Sequence, residues 1–318
     1  MKDDFKNKKE EDAMDYLAKN FVGEDDSTLD TVKKVDLSYL DNTPTNEYLH
    51  VPLELLPCGI FYKNGTKISI RAAKVQEVQA YSVVDDNNYL DITEKMNGIL
   101  ASCIKYISPN GAKGTYKDLR DGDRLFLIFM IRELTFPGGK NLSKDCTCDN
   151  CKHEFKMELR ATTSDKVKKS FVNYEMPEKL AKFFNPNEKV FVFTIDGVDY
   201  KLAPPTIGIQ ELFFGDIKTK IQSEKNPNVS FLKLYSFMLH DRNSITEDGI
   251  KAKETEFKRL PMKTFQILNQ AVNQMTFGIK EMKNDCPSCG VEVHTEMTFP
   301  SGASNIFVIS DAIDEYFG

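Results

Sequence analysis

Two Cys-x-x-Cys pairs constrain this chain more than any other feature of its sequence. The first lies in CTCDNCKHEF, residues 146–155, and supplies Cys148 and Cys151; the second, in CPSCGVEVHTEMTF, supplies Cys286 and Cys289 much further along. A Cys-x-x-Cys turn points both sulfurs to one side and lets nearby backbone N–H groups donate to the thiolates, and two such turns make the four-sulfur set of a tetrahedral zinc site. Gly290 directly after the second pair suits that turn, because the residue there often needs a backbone conformation that glycine adopts without strain. Lys152 holds the same place after the first pair and suits it less well. With all four ligands coming from the protein, no coordination position stays open. The spacing therefore predicts a structural zinc, not a catalytic one, on Cys148, Cys151, Cys286 and Cys289. Cys146 and His153 are spare donors beside the first pair and are read as non-ligands. A thioredoxin-like redox pair is the competing reading; it fits less well, because there are two pairs and neither sits at a strand-to-helix junction.

Each pair is followed by an alternating segment, KHEFKMELRA after the first and GVEVHTEMTF after the second. Alternation at period two reads as a strand, and two strands that pair with each other would bring the turns together as a zinc-ribbon-like element. The long stretch between them is then an insertion closed at its base by the metal, which offsets part of the entropy of closing so large a loop.

The rest of the composition narrows the class. Of 318 residues 41% are hydrophobic and 28% charged, as in a soluble globular chain, and the net charge of −6 makes nucleic acid a poor default partner. The longest apolar run, LFLIFMI from Leu125 to Ile131, falls far short of the roughly 20 residues that span a bilayer. The first thirty residues carry ten acidic and five basic side chains and no apolar block of signal-peptide length, so the seven cysteines are expected in a reducing cytosol, unpaired.

Periodicity gives an α+β fold of helices packed with short antiparallel hairpins. Met14, Leu17, Ala18, Phe21 and Val22 fall on one helical stripe of a charged arm. Ile60 and Tyr62 flank Asn64–Gly65 with Ile68 and Ile70 beyond, the pattern of a tight hairpin. DITEKMNGILASCIKYI reads as one helix with Asp91 and Glu94 at capping-box spacing and Cys103 on its core face. A helix from about Asp121 through LFLIFMI is apolar nearly all round, although a buried strand gives the same run. VFVFTIDGVDYKL reads as a second hairpin turning at Asp196–Gly197, followed by helices near Ile207–Gln222, Ser230–His240 and Pro261–Phe277. The apolar and acidic tail after residue 300 either docks or reaches outward. This divides the chain into a charged arm (1–50), an α/β first part of the body (51–145), a metal element (146–160 with 278–300), a mostly helical insertion with a hairpin (161–277) and a C-terminal arm (301–318).

No catalytic constellation is legible. The four histidines pair with no nucleophile by spacing, NGAKGT lacks the spacing of a phosphate loop, and Asp118, Asp121 and Asp123 read as caps and turn residues. The order of LPCGIFY, RAAKVQEVQAYS, GDRLFLIFMIRELTF leading into the cysteines, and FTIDGVDYKLAPPTIGIQE resembles the baseplate hub proteins of T-even-type contractile-tailed bacteriophages over about residues 51–299. That resemblance implies a non-enzymatic virion component: it would be assembled in the host cytoplasm, work through contacts with other baseplate and tail proteins, and have no small-molecule substrate or membrane partner. It brings no catalytic residues. The alternative from a different class is a zinc-ribbon nucleic-acid-binding or transcription-associated protein, which would need a basic face that the region around CKHEFKMELRATTSDKVKKS provides only weakly.

Overall fold

Short strands rich in β-branched residues open the body. In a computed structural model that describes residues 48–136, 142–159, 171–213, 230–239, 246–296 and 302–307, β1 (Leu49–Val51), β2 (Lys67–Ile70), β3 (Ile104–Ile107) and β4 (Lys113–Gly114) form an antiparallel sheet in the order β1-β2-β3-β4. Helices α1 (Val75–Ser82), α2 (Tyr89–Cys103) and α3 (Arg124–Thr135) belong with this sheet. Every residue of α3 from Phe126 to Arg132 is buried, which settles the ambiguous apolar run as a helix enclosed on most sides. Full burial of a Phe, Leu or Ile is worth roughly 1.5–3 kcal/mol, so α3 is the element around which the first core is organised. Ile68, Ile70, Leu100, Met157, Phe171 and Met282 join it there.

The second core is built mostly from the middle of the chain, with Cys58 and Phe61 joining it from the first part. β8 (Phe184–Asn185), β9 (Val190–Ile195) and β10 (Val198–Leu202) form an antiparallel sheet, entered through the short helix α4 (Glu178–Ala181). Asp196 and Gly197 both take positive φ, 51° and 79°, as the tight turn between β9 and β10 demands. Helices α5 (207–213), α6 (Ser230–Met238), α7 (Glu247–Lys258) and α8 (Met262–Gln274) follow. Phe191, Leu202, Leu234, Leu268 and Val272 pack together in this core. Mixed helices and antiparallel sheets make the fold α+β. Among the described residues no helix is long and apolar enough to cross a membrane.

Several elements differ from the sequence expectation. Ile60 lies in a 3-10 turn, Gly59–Phe61, not in a strand, and β2 pairs with β1 and β3 instead of with a strand across Asn64–Gly65. Only Gly65 of that dipeptide takes positive φ, 90°, and Thr66 N–H donates to Lys63 O, so the turn redirects the chain without forming a hairpin. Helix α2 starts a turn earlier than Asp91 because Asn88 Oδ1 accepts from the N–H groups of Leu90 and Asp91, and it stops at Cys103, where the chain turns extended as β3. Strand β1 crosses the expected arm–body boundary at residue 50. The stripe Met14–Val22, the tail beyond 307 and the continuation of the 207 helix past 213 lie outside the described residues.

A buried carboxylate joins the two cores. Asp123 is fully buried and accepts from Cys58 N–H at 2.7 Å and from Tyr62 O–H at 2.6 Å; Tyr62 oxygen in turn accepts from Arg120 N–H at 2.8 Å. Cys58 belongs to the second core and Tyr62 to the first. Gly122 beside it lies where a Cβ would meet Phe277 O at 2.6 Å, so only glycine lets the chains approach. Asp123 thus acts not as the helix cap expected from its position but as an internal acceptor. Burial pushes its pKa up to about 7 against the pull of the Tyr62 and Cys58 hydrogen bonds. Replacing Asp123 by Ala strands two buried donors at about 1–3 kcal/mol each, so urea denaturation should show a loss of roughly 2–5 kcal/mol, larger than that of Tyr62→Phe. Because the folded-state pKa is raised, the contribution of Asp123 is full below about pH 4 and is lost as pH rises through about 7. The stability advantage of the native chain over Asp123→Asn should accordingly shrink between pH 5 and pH 8.

Candidate metal centre

Each cysteine pair sits at the tip of its own antiparallel hairpin. β5 (Leu142–Thr147) runs into the first knuckle and returns as β6 (Glu154–Leu159); β11 (Ile279–Asp285) runs into the second and returns as β12 (Glu292–Glu296). In both knuckles the first cysteine anchors two backbone hydrogen bonds. Cys148 N–H donates to His153 O and its carbonyl accepts from Lys152 N–H; Cys286 N–H donates to Val291 O and its carbonyl accepts from Gly290 N–H. The equivalence extends to the dihedrals, with Lys152 at φ 60° and Gly290 at φ 70°.

The four sulfurs converge. Cys148 Sγ and Cys289 Sγ lie 3.6 Å apart, as do Cys151 Sγ and Cys286 Sγ, and all four lie within 4.8 Å of one another. A disulfide needs about 2.05 Å, so these are free thiols held at ligand spacing. The edge of a tetrahedron whose metal–sulfur bonds are about 2.3 Å is about 3.8 Å, which the observed contacts approach. The set can therefore hold one metal ion, as the spacing of the two pairs implied. Cys148 and Cys286 are buried at the hairpin tips, whereas Cys151 and Cys289 face outward.

Local electrostatics divide the sulfurs further. The backbone N–H of Val291 and the side chain of Asn150 draw the Cys289 thiol down to about 6, favouring the thiolate. At Cys151 the backbone N–H of His153 pulls the same way, but desolvation and the three neighbouring sulfurs outweigh it and raise the thiol to about 11. Cys289 is thus eased toward its thiolate and Cys151 held as a thiol; a divalent ion would favour the thiolate at both.

The hairpins are held together differently from the sequence expectation. The two strands that follow the knuckles do not pair with each other in the described residues: β6 pairs with β5, and β12 pairs with β11, which also carries β7 (Phe171–Asn173) on its other edge. Among the described residues a side chain bridges the hairpins, with Lys144 Nζ donating to Thr295 Oγ1 at 2.9 Å and to the backbone Glu296 O at 3.0 Å. Met157 and Met282 root the hairpins in the first core. Cys146 turns away toward that core, its thiol pushed up by burial, and His153 stacks on Phe155; neither belongs to the sulfur cluster. Cys103 is a core thiol, as its helical register indicates.

One arrangement gave no signal in sequence. His294 on β12 faces Glu281 Oε2 through Nδ1 at 2.6 Å and Glu292 Oε1 through Nε2 at 2.9 Å, and the two carboxylates raise its pKa. Only cross-strand registry, with Lys283 opposite His294, brings these residues together. Comparison with protein-family models, curated proteins and solved structures finds no match to this chain.

The φ values make a direct test of the knuckle geometry. Nothing lies within 4 Å of a Cβ built on Gly290, so Gly290→Ala meets only the cost of a left-handed backbone, about 1–2 kcal/mol. Lys152→Gly removes the same cost from the first knuckle and should raise the melting temperature, while Gly290→Ala lowers it; thermal melts of the two variants should shift in opposite directions.

Proposed function

We propose that Cys148, Cys151, Cys286 and Cys289 hold a single structural zinc ion, that the two hairpins form a zinc-ribbon-like element, and that the chain is a structural and assembly protein of a contractile phage tail baseplate. The convergence of four protein sulfurs supports this reading best: the four lie within 4.8 Å of one another, enough donors for one tetrahedral ion, the set contains no oxygen ligand, and soft thiolates select zinc over magnesium or calcium. A metal bound this way has no position left for a substrate, so its contribution is to fold. The ion would supply charge neutralisation for the thiolates and fix the two hairpins relative to each other. The knuckle amides, the Asn150 side chain and the Lys144 clasp orient those hairpins around it. The baseplate assignment rests on the sequence resemblance, and the action through protein–protein contacts follows from it.

Two measurements carry the test. Elemental analysis of the purified chain should give about one zinc per chain, and the Cys286→Ser, Cys289→Ser double variant should give far less and melt at a lower temperature; equal zinc in both would defeat the metal assignment, and iron in place of zinc would change the cofactor. During phage assembly the tagged chain should co-sediment with baseplate-sized particles. A chain that stays free while normal tails form would defeat the structural role.

A further inference from the structure

Both 3.6 Å contacts in the sulfur cluster run between the knuckles, from Cys148 Sγ to Cys289 Sγ and from Cys151 Sγ to Cys286 Sγ. Each joins the first cysteine of one knuckle to the second cysteine of the other. Each therefore joins a buried sulfur to one that faces solvent. Of the seven cysteines only Cys151 and Cys289 are exposed; Cys58 and Cys103 are buried in the cores and Cys146 lies outside the cluster. The pairing is held by contacts that do not involve sulfur. Lys144 Nζ reaches across to Thr295 Oγ1 and Glu296 O, while Met157 and Met282 fix the two hairpins in the first core. Thiols so placed have a second way to close the element, since passing from 3.6 Å to the roughly 2.05 Å of a disulfide moves each sulfur by less than about 1 Å.

We propose that the four cysteines are an oxidation site at which two cross-knuckle disulfides, Cys148–Cys289 and Cys151–Cys286, take the place of the ion. This rests on the metal and assembly reading above, which supplies the change of surroundings: the chain folds with its thiols reduced in the host cytoplasm and later meets an oxidising exterior, where disulfides persist. The oxidant is a peroxide. The exposed sulfur of a pair, on Cys289 or Cys151, attacks one peroxide oxygen; a sulfur–oxygen bond forms, the oxygen–oxygen bond breaks and hydroxide leaves, giving a sulfenic acid. The buried partner, on Cys148 or Cys286, then attacks that sulfur, so a sulfur–sulfur bond forms, the sulfur–oxygen bond breaks and a second hydroxide leaves. Each pair gives two electrons to one peroxide, which becomes two waters on protonation, and the four thiolates together consume two peroxides. The resolving sulfur stands 3.6 Å away, so the sulfenic acid is trapped before further oxidation. Disulfide sulfurs no longer hold a cation as thiolates do, and the ion departs with its charge unchanged. Bonds within each knuckle would free the hairpins from each other, whereas bonds across the knuckles preserve the closure that the ion supplies.

The test uses the native full-length chain, purified with its metal, freed of reductant, assayed for zinc and then treated with excess hydrogen peroxide. Zinc should pass to a colorimetric chelator as the bonds form. Tryptic digestion without reduction should recover residues 145–152 linked to the peptide that holds Cys286 and Cys289, at least tenfold above either peptide closed on itself. Fragmentation of the linked pair should give Cys148–Cys289 and Cys151–Cys286. On a non-reducing denaturing gel the oxidised chain should run faster, because a loop of more than a hundred residues is closed, and dithiothreitol should reverse the shift. Bonds within each knuckle, the alternative pairing of Cys148 with Cys286 and Cys151 with Cys289, or cysteines carrying only added oxygen would overturn the proposal and leave the metal assignment standing. A chain without zinc at the start would sink the metal assignment, and the exchange with it, whichever bonds form.

Discussion

Four sulfurs brought within 4.8 Å of one another, from knuckles 135 positions apart between Cys151 and Cys286, are the constraint to which the rest of the body is fitted. Closing a loop of that length costs on the order of 4 kcal/mol of chain entropy, and no single knuckle contact offsets it. The convergence is secured from below instead. Met157 on β6 and Met282 on β11 are buried in the first core beside Phe171, and Lys144 clasps the end of β12, so the hairpins are aimed at each other before any ion is considered. Within each knuckle the backbone bonds from the first cysteine fix where the second must point. The first knuckle keeps Lys152 at φ 60°, a backbone state costing about 1 kcal/mol or more outside glycine. The knuckle geometry thus overrides the local backbone preference of a lysine.

The chain between the knuckles has its own core, and it is joined to the first part of the body by apolar contacts, with Phe61 packed on Phe184, Phe191 and Phe277, and by polar groups. Asp123, Tyr62, the Cys58 amide and Arg120 form a connected set in which each buried donor has an acceptor. Arg120 also donates to Pro204 O and Phe61 O, and Leu119 O accepts from Ile207 N–H, so the segment before α3 is stitched to the residues after β10. A carboxylate with two fixed donors permits one register, at the cost of burying a group that titrates near neutrality.

What was legible in sequence is what local physics decides alone. The cysteine set follows from spacing, and the β9–β10 turn from Asp196–Gly197, where both residues take the positive φ that the dipeptide favours; the burial of α3 was legible in its apolar run, while its helical form was left open against a buried strand. What was illegible depended on partners distant in sequence. Asn64–Gly65 carries the same hairpin signal, but β2 finds better partners in β1 and β3, so tertiary pairing wins over turn propensity. The α2 periodicity runs on through Ile104 and Ile107 because a strand that buries one face also places apolar residues on it. β11 escaped notice because a bulge between Ile279 and Glu281 breaks its alternation. α7 shows few apolar anchors, Ile250 and Phe257 against Tyr235, and its surface pairs, such as Glu254 with Lys258, supply little periodic signal.

The contacts that close this body span large separations: 65 positions from Cys58 to Asp123, 141 from Cys148 to Cys289 and 222 from Tyr81 to Ala303. Late and distant ties of this kind slow folding, since each loop must close before its contact repays it. They also leave the finished body with few independent parts, because the N-terminal sheet, the middle core, both hairpins and the C-terminal segment each hold another. For a protein proposed to work by fitting against neighbours, that trade is favourable. A surface already fixed by internal ties loses little conformational freedom on association, and the entropy that would otherwise oppose each contact has been spent in folding.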